Sequence, residues 1–228
     1  MKIVAVVPSA GRGVRFKQKQ PKPLVLLDSY PILFHTIRTL SISKLIDNIV
    51  LVVNRNDLAK FRNKIKPYNF KKIKNIVAGG ASRRKSVENG LKSVDSDADL
   101  ILIHDAARPF INSKIISQTI NAAKKSGAAI AAVPVKSTIK QIRPATFLVE
   151  KTLDRNILWE IQTPQVFKKD IILKAYSKFK NIDAFDDASL VEKLGKRVKI
   201  VLGSYNNIKI TTPEDLLFAK AILKNRSS

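Results

Sequence analysis

Short runs of apolar, β-branched residues punctuate this chain at regular intervals: Ile3–Val7, Ile49–Val53, Ile73–Val77, Leu100–His104 and Ala129–Val133. Stretches with helical spacing of apolar positions lie between them, near Ile32–Leu40, Ser82–Leu91 and Lys114–Lys125. All of these runs except Ile73–Val77 lack polar alternation, which predicts strands buried on both faces. Strands alternating with helices predict an α/β domain with a mainly parallel sheet covered by helices and right-handed crossovers. The rhythm breaks after Pro134. Residues 136–153 mix polar and β-branched types and predict an extended hairpin arm rather than another strand–helix unit. Regular signals then resume with a strand at Ile161–Phe167, a helix from Lys169 and a helix near Asp187–Leu194. A strand at Val198–Leu202 and a last helix from Pro213 follow. Without repeats, low-complexity tracts or linkers, the 228 residues read as one domain with an inserted arm.

Composition narrows the setting. The chain has no cysteine, which excludes disulfides and thiolate metal sites. The apolar start MKIVAVVP stops too soon for a secretory leader, and no run reaches the roughly 20 residues of a membrane span, so a soluble cytoplasmic protein is expected. Against 18 acidic residues stand 42 Lys and Arg. Such an excess attracts polyanions, either nucleic acid or phosphorylated substrates, but it also arises from a lysine-rich, solvated surface. The lysines are scattered, and the aromatics, only 7% of the chain, do not interleave with them. Surface bias is therefore favoured over nucleic-acid binding, and phosphate steering fits both.

The first loop carries candidate chemistry. Pro8, Ser9, Ala10, Gly11, Arg12 and Gly13 follow the first strand, and small residues there let backbone N–H groups approach a phosphate chain. In a parallel sheet this is the edge where ligands bind. Arg15 and, seven residues further, Lys22 in a Pro-Lys-Pro-Leu string give a GxGxR…PK pattern similar to nucleotidyltransferases that activate sugars and polyols. Two cations aimed at a nucleotide α-phosphate would stabilise charge that builds in the transition state. The fourth strand ends in His104-Asp105-Ala106-Ala107-Arg108-Pro109. Asp105 is placed for a metal or a ligand hydroxyl and Arg108 for a phosphate, unless the two simply tie down the loop. His104 reads as structural.

The ordered set of motifs resembles the 2-C-methyl-D-erythritol 4-phosphate cytidylyltransferases of the non-mevalonate isoprenoid pathway. It comprises GxGxR…PK, Gly79–Val87, HDAARP, Val135–Lys140, Asp154-Arg155-Asn156, Gln162–Phe167, Phe185–Ser189 and Asn207–Thr211. The resemblance implies a Rossmann-like fold and cytidylyl transfer from CTP to methylerythritol phosphate, with Mg2+ held mostly by the CTP phosphates. Arg15 and Lys22 would stabilise the transition state, and Arg155 and Lys209 would position the acceptor. Pro8, Ser9, Ala10, Gly11, Gly13, Gly80 and Ser86 would hold the nucleotide. Asp105, Arg108 and Thr138 would contact the sugar-alcohol phosphate, with Asp105 also a candidate for the metal. The arm would cross to a second subunit in a homodimer, so that Thr138 and Arg155 serve the neighbour's site. Neither nucleic acid nor membrane is an expected partner. Three positions depart from the family pattern: Ala81 where an acid is frequent, Phe185 where threonine is common, and Pro23-Leu24 after Lys22. A ribitol 5-phosphate cytidylyltransferase is the nearest alternative, and a paralogue that binds nucleotide without turnover is another.

Overall fold

The computed structural model describes residues 1–11, 16, 21–180, 182 and 184–227. Its main sheet has seven strands. In chain order these are β1 (Ile3–Ser9), β4 (Asn48–Val53), β5 (Ile73–Ala78), β6 (Leu100–Ile103), β7 (Ala128–Pro134), β10 (Trp159–Lys168) and β11 (Lys199–Leu202). Two small pairs lie outside it: β2 (Leu26–Leu27) with β3 (Tyr30–Pro31), and β8 (Ile139–Ile142) with β9 (Val149–Leu153). The spatial order is β11-β7-β10-β6-β1-β4-β5. Every pairing in the main sheet is parallel except those of β10, which runs antiparallel to both β6 and β7.

Period-2 alternation divides the core between the two faces of the sheet. On one face Ala5, Val7, Leu51, Val53, Leu102 and Ala131 meet α1 (Ile32–Ile42), α2 (Leu58–Ile65) and α4 (Ser113–Ser126). On the other, Val4, Val6, Val50, Val52, Ile101 and Ile130 meet α3 (Arg83–Leu91), α5 (Lys169–Lys178) and α6 (Asp187–Lys193). Strands covered on both sides cannot carry a polar row, which explains the unbroken apolar runs of β1, β4, β6 and β7. The helix α3 lies close to the sheet at Gly90, where an added Cβ would fall 2.6 Å from a Val6 methyl and 2.8 Å from a Val52 methyl. A third cluster, around Leu27, Phe110 and Ile210, seats the last helix, α7 (Pro213–Ser227).

Side chains cap the helices that flank the cleft. Ser82 Oγ accepts from Lys85 N at 3.1 Å at the start of α3, and Asp186 Oδ1 accepts from Ser189 N at 2.9 Å at the start of α6. The β8–β9 hairpin lies between β7 and β10 in the chain, and most of its residues are exposed. Its tip exposes Phe147, Leu148 and Val149, and Phe147 has a left-handed backbone with φ 54°.

Candidate active site

The chain runs β1, β4, β5 outward along the sheet and then returns to lay β6 on the other side of β1. That reversal opens a crevice at the carboxyl ends of β1 and β6, the usual ligand position in such sheets. A cleft of about 900 Å³ lies there. Its lining includes Pro8, Ser9, Ala10 and Gly11 after β1, Asn54, Arg55 and Asn56 after β4, Gly79 to Arg83 with Ser86 after β5, and Asp105 to Ala107 after β6, together with Lys22 and Lys209. The loops after β1 and β5 touch at Gly79, where a Cβ would collide with Ala10 Cβ and lie 2.8 Å from Ser86 Oγ. Buried Ser86 accepts from Gly80 N at 3.1 Å and donates to Ser82 O at 2.9 Å, which fixes the curve of that loop.

Asp105 is the one acidic residue among the described residues lining the cleft. Its Oδ1 lies 3.1 Å from Arg83 Nε, its Oδ2 lies 2.7 Å from Lys209 Nζ, and Arg108 Nε stands 3.9 Å away. Burial works against the Asp105 charge, but Arg83, Lys209 and Arg108 outweigh it and hold the carboxyl well below the usual carboxylate range. Lys209 arrives on a segment bonded to the loop after β6 through Ile210 N to Ala107 O at 2.9 Å. Lys22, in the short turn Lys22–Leu24, donates to Ile210 O at 2.8 Å, so both lysines reach the cleft from neighbouring backbone.

The remaining candidates divide. Arg108 is buried beside the cleft, its head donating to Asn207 O at 2.7 Å and Ile161 O at 3.4 Å, which fits the reading that it ties loops together. Thr138 and Arg155 are exposed at the root of the arm and do not line the cleft of their own chain; Arg155 Nη1 donates to Lys136 O at 3.1 Å. Arg15 and Gly13 lie outside the described residues.

His104 is fully buried, with Nδ1 3.0 Å from Thr163 Oγ1 and Nε2 3.1 Å from Arg108 O. Burial, reinforced by Arg108 and Lys209, lowers its pKa from 6.5 to about 4, so the folded protein holds it neutral. The unfolded chain takes up this proton first as pH falls. Stability that His104 contributes above pH 6.5 is therefore lost between 6.5 and about 4, and the loss amounts to about 3 kcal/mol. Asp105, depressed in the fold, acts in the same direction at lower pH. Melting curves across that window should fall less steeply in His104→Gln than in the wild type, and parallel curves would remove His104 as the cause.

Several residues of the site had no assigned role in the sequence reading. Arg83, Asp187 and Tyr176 form a chain of contacts behind Asp105: Arg83 Nη2 lies 2.8 Å from Asp187 Oδ2, and Tyr176 Oη donates to Asp187 Oδ1 at 2.5 Å. Asn54 to Asn56 were also missed, and only their place directly after a buried strand could have marked them.

Residues 3–225 match the family described as IspD: 2-C-methyl-D-erythritol 4-phosphate cytidylyltransferase. The chain belongs to the IspD family. A protein of Syntrophus aciditrophicus with that name is 48% identical over 226 residues, covering 98% of this chain and 96% of the relative. Another with the same name, from Alkaliphilus oremlandii, is 47% identical, covering 99% and 96%. Among solved structures, the 4-diphosphocytidyl-2C-methyl-D-erythritol synthase of Anaerococcus prevotii superposes with a TM-score of 0.86 at 36% identity, covering 98% of this chain and 96% of that one. The Francisella tularensis member of the IspD family gives 0.82 at 32%, covering 97% and 100%. The Rossmann-like reading of the sheet stands. Of the three departures from the IspD pattern, Ala81 lines the cleft, Phe185 is fully exposed just before the acids that open α6, and Pro23-Leu24 are buried in the turn that carries Lys22.

Proposed function

We propose that this chain transfers a cytidylyl group from CTP to 2-C-methyl-D-erythritol 4-phosphate, forming 4-diphosphocytidyl-2-C-methyl-D-erythritol and pyrophosphate. The observation that carries the proposal is a switch-point cleft, formed by family-matched loops, in which Lys22 and Lys209 stand with Asp105. An oxygen of the acceptor phosphate attacks the α-phosphorus of CTP. The new P–O–P bond forms as the bond to the β-phosphate bridging oxygen breaks, and pyrophosphate carries away the electron pair. The attacking phosphate is already ionised near neutral pH, so no protein base or nucleophile is needed. Positioning and charge stabilisation are the tasks left to the protein. Lys22, with Arg15 seven residues before it in the sequence, stabilises charge on the α-phosphate. Lys209 aligns the acceptor, and Pro8 to Gly11, Gly80 and Ser86 cradle the nucleotide.

Among the described residues no group of three or more His, Cys, Asp or Glu could hold a metal, and both oxygens of Asp105 are engaged by cations. A cage made by the protein alone does not fit this cleft. Mg2+ fits as a companion of the CTP phosphates, with Asp105 the one carboxylate near them, and it supplies neutralisation of the triphosphate charge.

Two copies of the chain complete the site in this proposal. Thr138 and Arg155 stand outside their own cleft, and the arm with its root exposes Ile142, Phe147, Leu148, Val149, Ile157 and Trp159, an apolar surface suited to a second protomer. No described helix is long and apolar enough to cross a membrane. The proposed setting is the cytoplasm, where CTP is available.

The test is pyrophosphate release by the purified protein with Mg2+ and CTP, comparing methylerythritol 4-phosphate with ribitol 5-phosphate. Release with the first alone is expected. Release only with ribitol 5-phosphate would overturn the acceptor, and silence from a folded protein would overturn the activity. Sedimentation should show a dimer that dissociates in a Phe147→Ser/Leu148→Ser variant, whereas a monomeric wild type would sink the shared-site reading.

A further inference from the structure

We propose that Arg83 is a positioning residue of the transfer reaction, acting by gripping Asp105 so that Lys209 can be released to the acceptor phosphate. The inference rests on the function proposed above. Asp105 divides its two oxygens between two cations, Arg83 on Oδ1 at 3.1 Å and Lys209 on Oδ2 at 2.7 Å. The third cation, Arg108, is 3.9 Å away and already donates to two backbone carbonyls. When a phosphate dianion enters the cleft, Lys209 is drawn toward it and must loosen from Asp105. A buried carboxylate left without a close counter-charge is strongly disfavoured, so with Arg83 absent Asp105 would hold Lys209 back.

Arg83 is built to stay in place while this exchange occurs. It opens α3 directly after the Ser82 cap. Its other arm reaches Asp187 at 2.8 Å, and Asp187 is itself fixed. Tyr176 Oη donates to Asp187 Oδ1 at 2.5 Å, while the Asp187 and Ala188 amides donate to Gln165 Oε1 at 3.2 and 3.1 Å. Burial opposes the charge of Arg83, yet Asp187 and Asp105 raise its pKa above the ordinary arginine value, so it remains charged throughout. A bridge serving only to join α3 and α6 would be complete with Asp187 alone. The guanidinium fork instead spends its Nε on the one carboxylate of the cleft.

Steady-state kinetics on Arg83→Gln, Asp105→Asn and the double variant test this. Arg83→Gln should lower kcat/KM for methylerythritol phosphate by roughly 10- to 100-fold, chiefly through KM for that substrate. In the Asp105→Asn background the same change should add little, because the carboxylate that restrains Lys209 is gone. Effects that multiply, or a loss confined to KM for CTP, would overturn the proposal. Asp187→Asn reports the purely structural half of the network. If it lowers activity as much as Arg83→Gln, and neither couples to Asp105, then Arg83 is only a strut. Should Arg83→Gln fail to fold, Arg83→Lys keeps the charge but cannot reach both carboxylates, and the same coupling to Asp105→Asn decides. Wild-type turnover separates failure of the reaction from failure of this role. With a silent wild type, the same comparisons made on methylerythritol 4-phosphate binding by calorimetry would decide the coupling.

Discussion

Lys22→Ala is expected to lower turnover with CTP and methylerythritol phosphate by on the order of 10²-fold or more, as does loss of one transition-state donor in other acyl- and phosphoryl-transfer sites. The ammonium is held at the cleft by Ile210 O at 2.8 Å, on a turn whose Pro23 and Leu24 are buried. Its backbone is therefore positioned without the charge. The negative charge it meets grows as the α-phosphate becomes five-coordinate, so kcat should fall more than KM rises. Lys22 is only half-buried, so the melting temperature should move by no more than about 2 °C. Stopped or continuous pyrophosphate assays check both parameters, and near-normal turnover would take Lys22 out of the mechanism.

The largest effect on stability is expected at Phe167. Its ring is fully buried on β10, in the cluster shared with Ile172, Ala175 and Tyr176 of α5. Phe167→Ala removes most of an aromatic side chain from a closely packed layer, and it should cost about 3–5 kcal/mol, combining lost transfer energy with the cavity left behind. For a chain of this size that corresponds to a fall in melting temperature of roughly 6–20 °C. Urea titration gives the free energy directly. A loss below about 1 kcal/mol would mean that the neighbours collapse into the space and that the layer is more plastic than its burial implies.

Much of the fold could be read in advance because its signals are local. The doubly covered strands β1, β4, β6 and β7 appear as apolar runs. Ser82, Asn112 and Asp186 cap the helices they precede, and Gly127, with φ 84°, ends α4 where the periodic residues stop. The helix α2 was missed although Leu58, Phe61 and Ile65 mark one face, because four of the intervening positions, Lys60, Arg62, Asn63 and Lys64, carry charge or amide groups. The antiparallel direction of β10 was also invisible, since strand direction is set by pairing and not by composition.

For the site, sequence supplied the loops and most cleft-lining residues. It could not show that Arg108 turns inward to Asn207 and Ile161 while Arg83 turns toward Asp105. Both are arginines near a strand end, and only the three-dimensional arrangement of the carbonyls and carboxylates distinguishes them. Thr138 and Arg155 illustrate the opposite limit: the resemblance already implied that they serve a neighbour's site, and the course of the arm leaves them outside the cleft of their own chain.

The reversed strand inside the sheet also governs how the molecule is made. The strands β6 and β7 do not pair with each other; β10 lies between them and bonds to both, with Val166 opposite Leu102 on one side and Ala129 on the other. A nascent chain that has released β6 from the ribosome must wait for β10 before the two halves of the sheet join, roughly 3 to 13 seconds at ordinary elongation rates. Throughout that interval the four apolar residues Leu100 to Ile103 present an open, sticky edge. Expression yield should therefore depend on translation speed between β6 and β10, and slow codons placed there should send more of the protein to aggregates or chaperones than the same codons placed after Lys168.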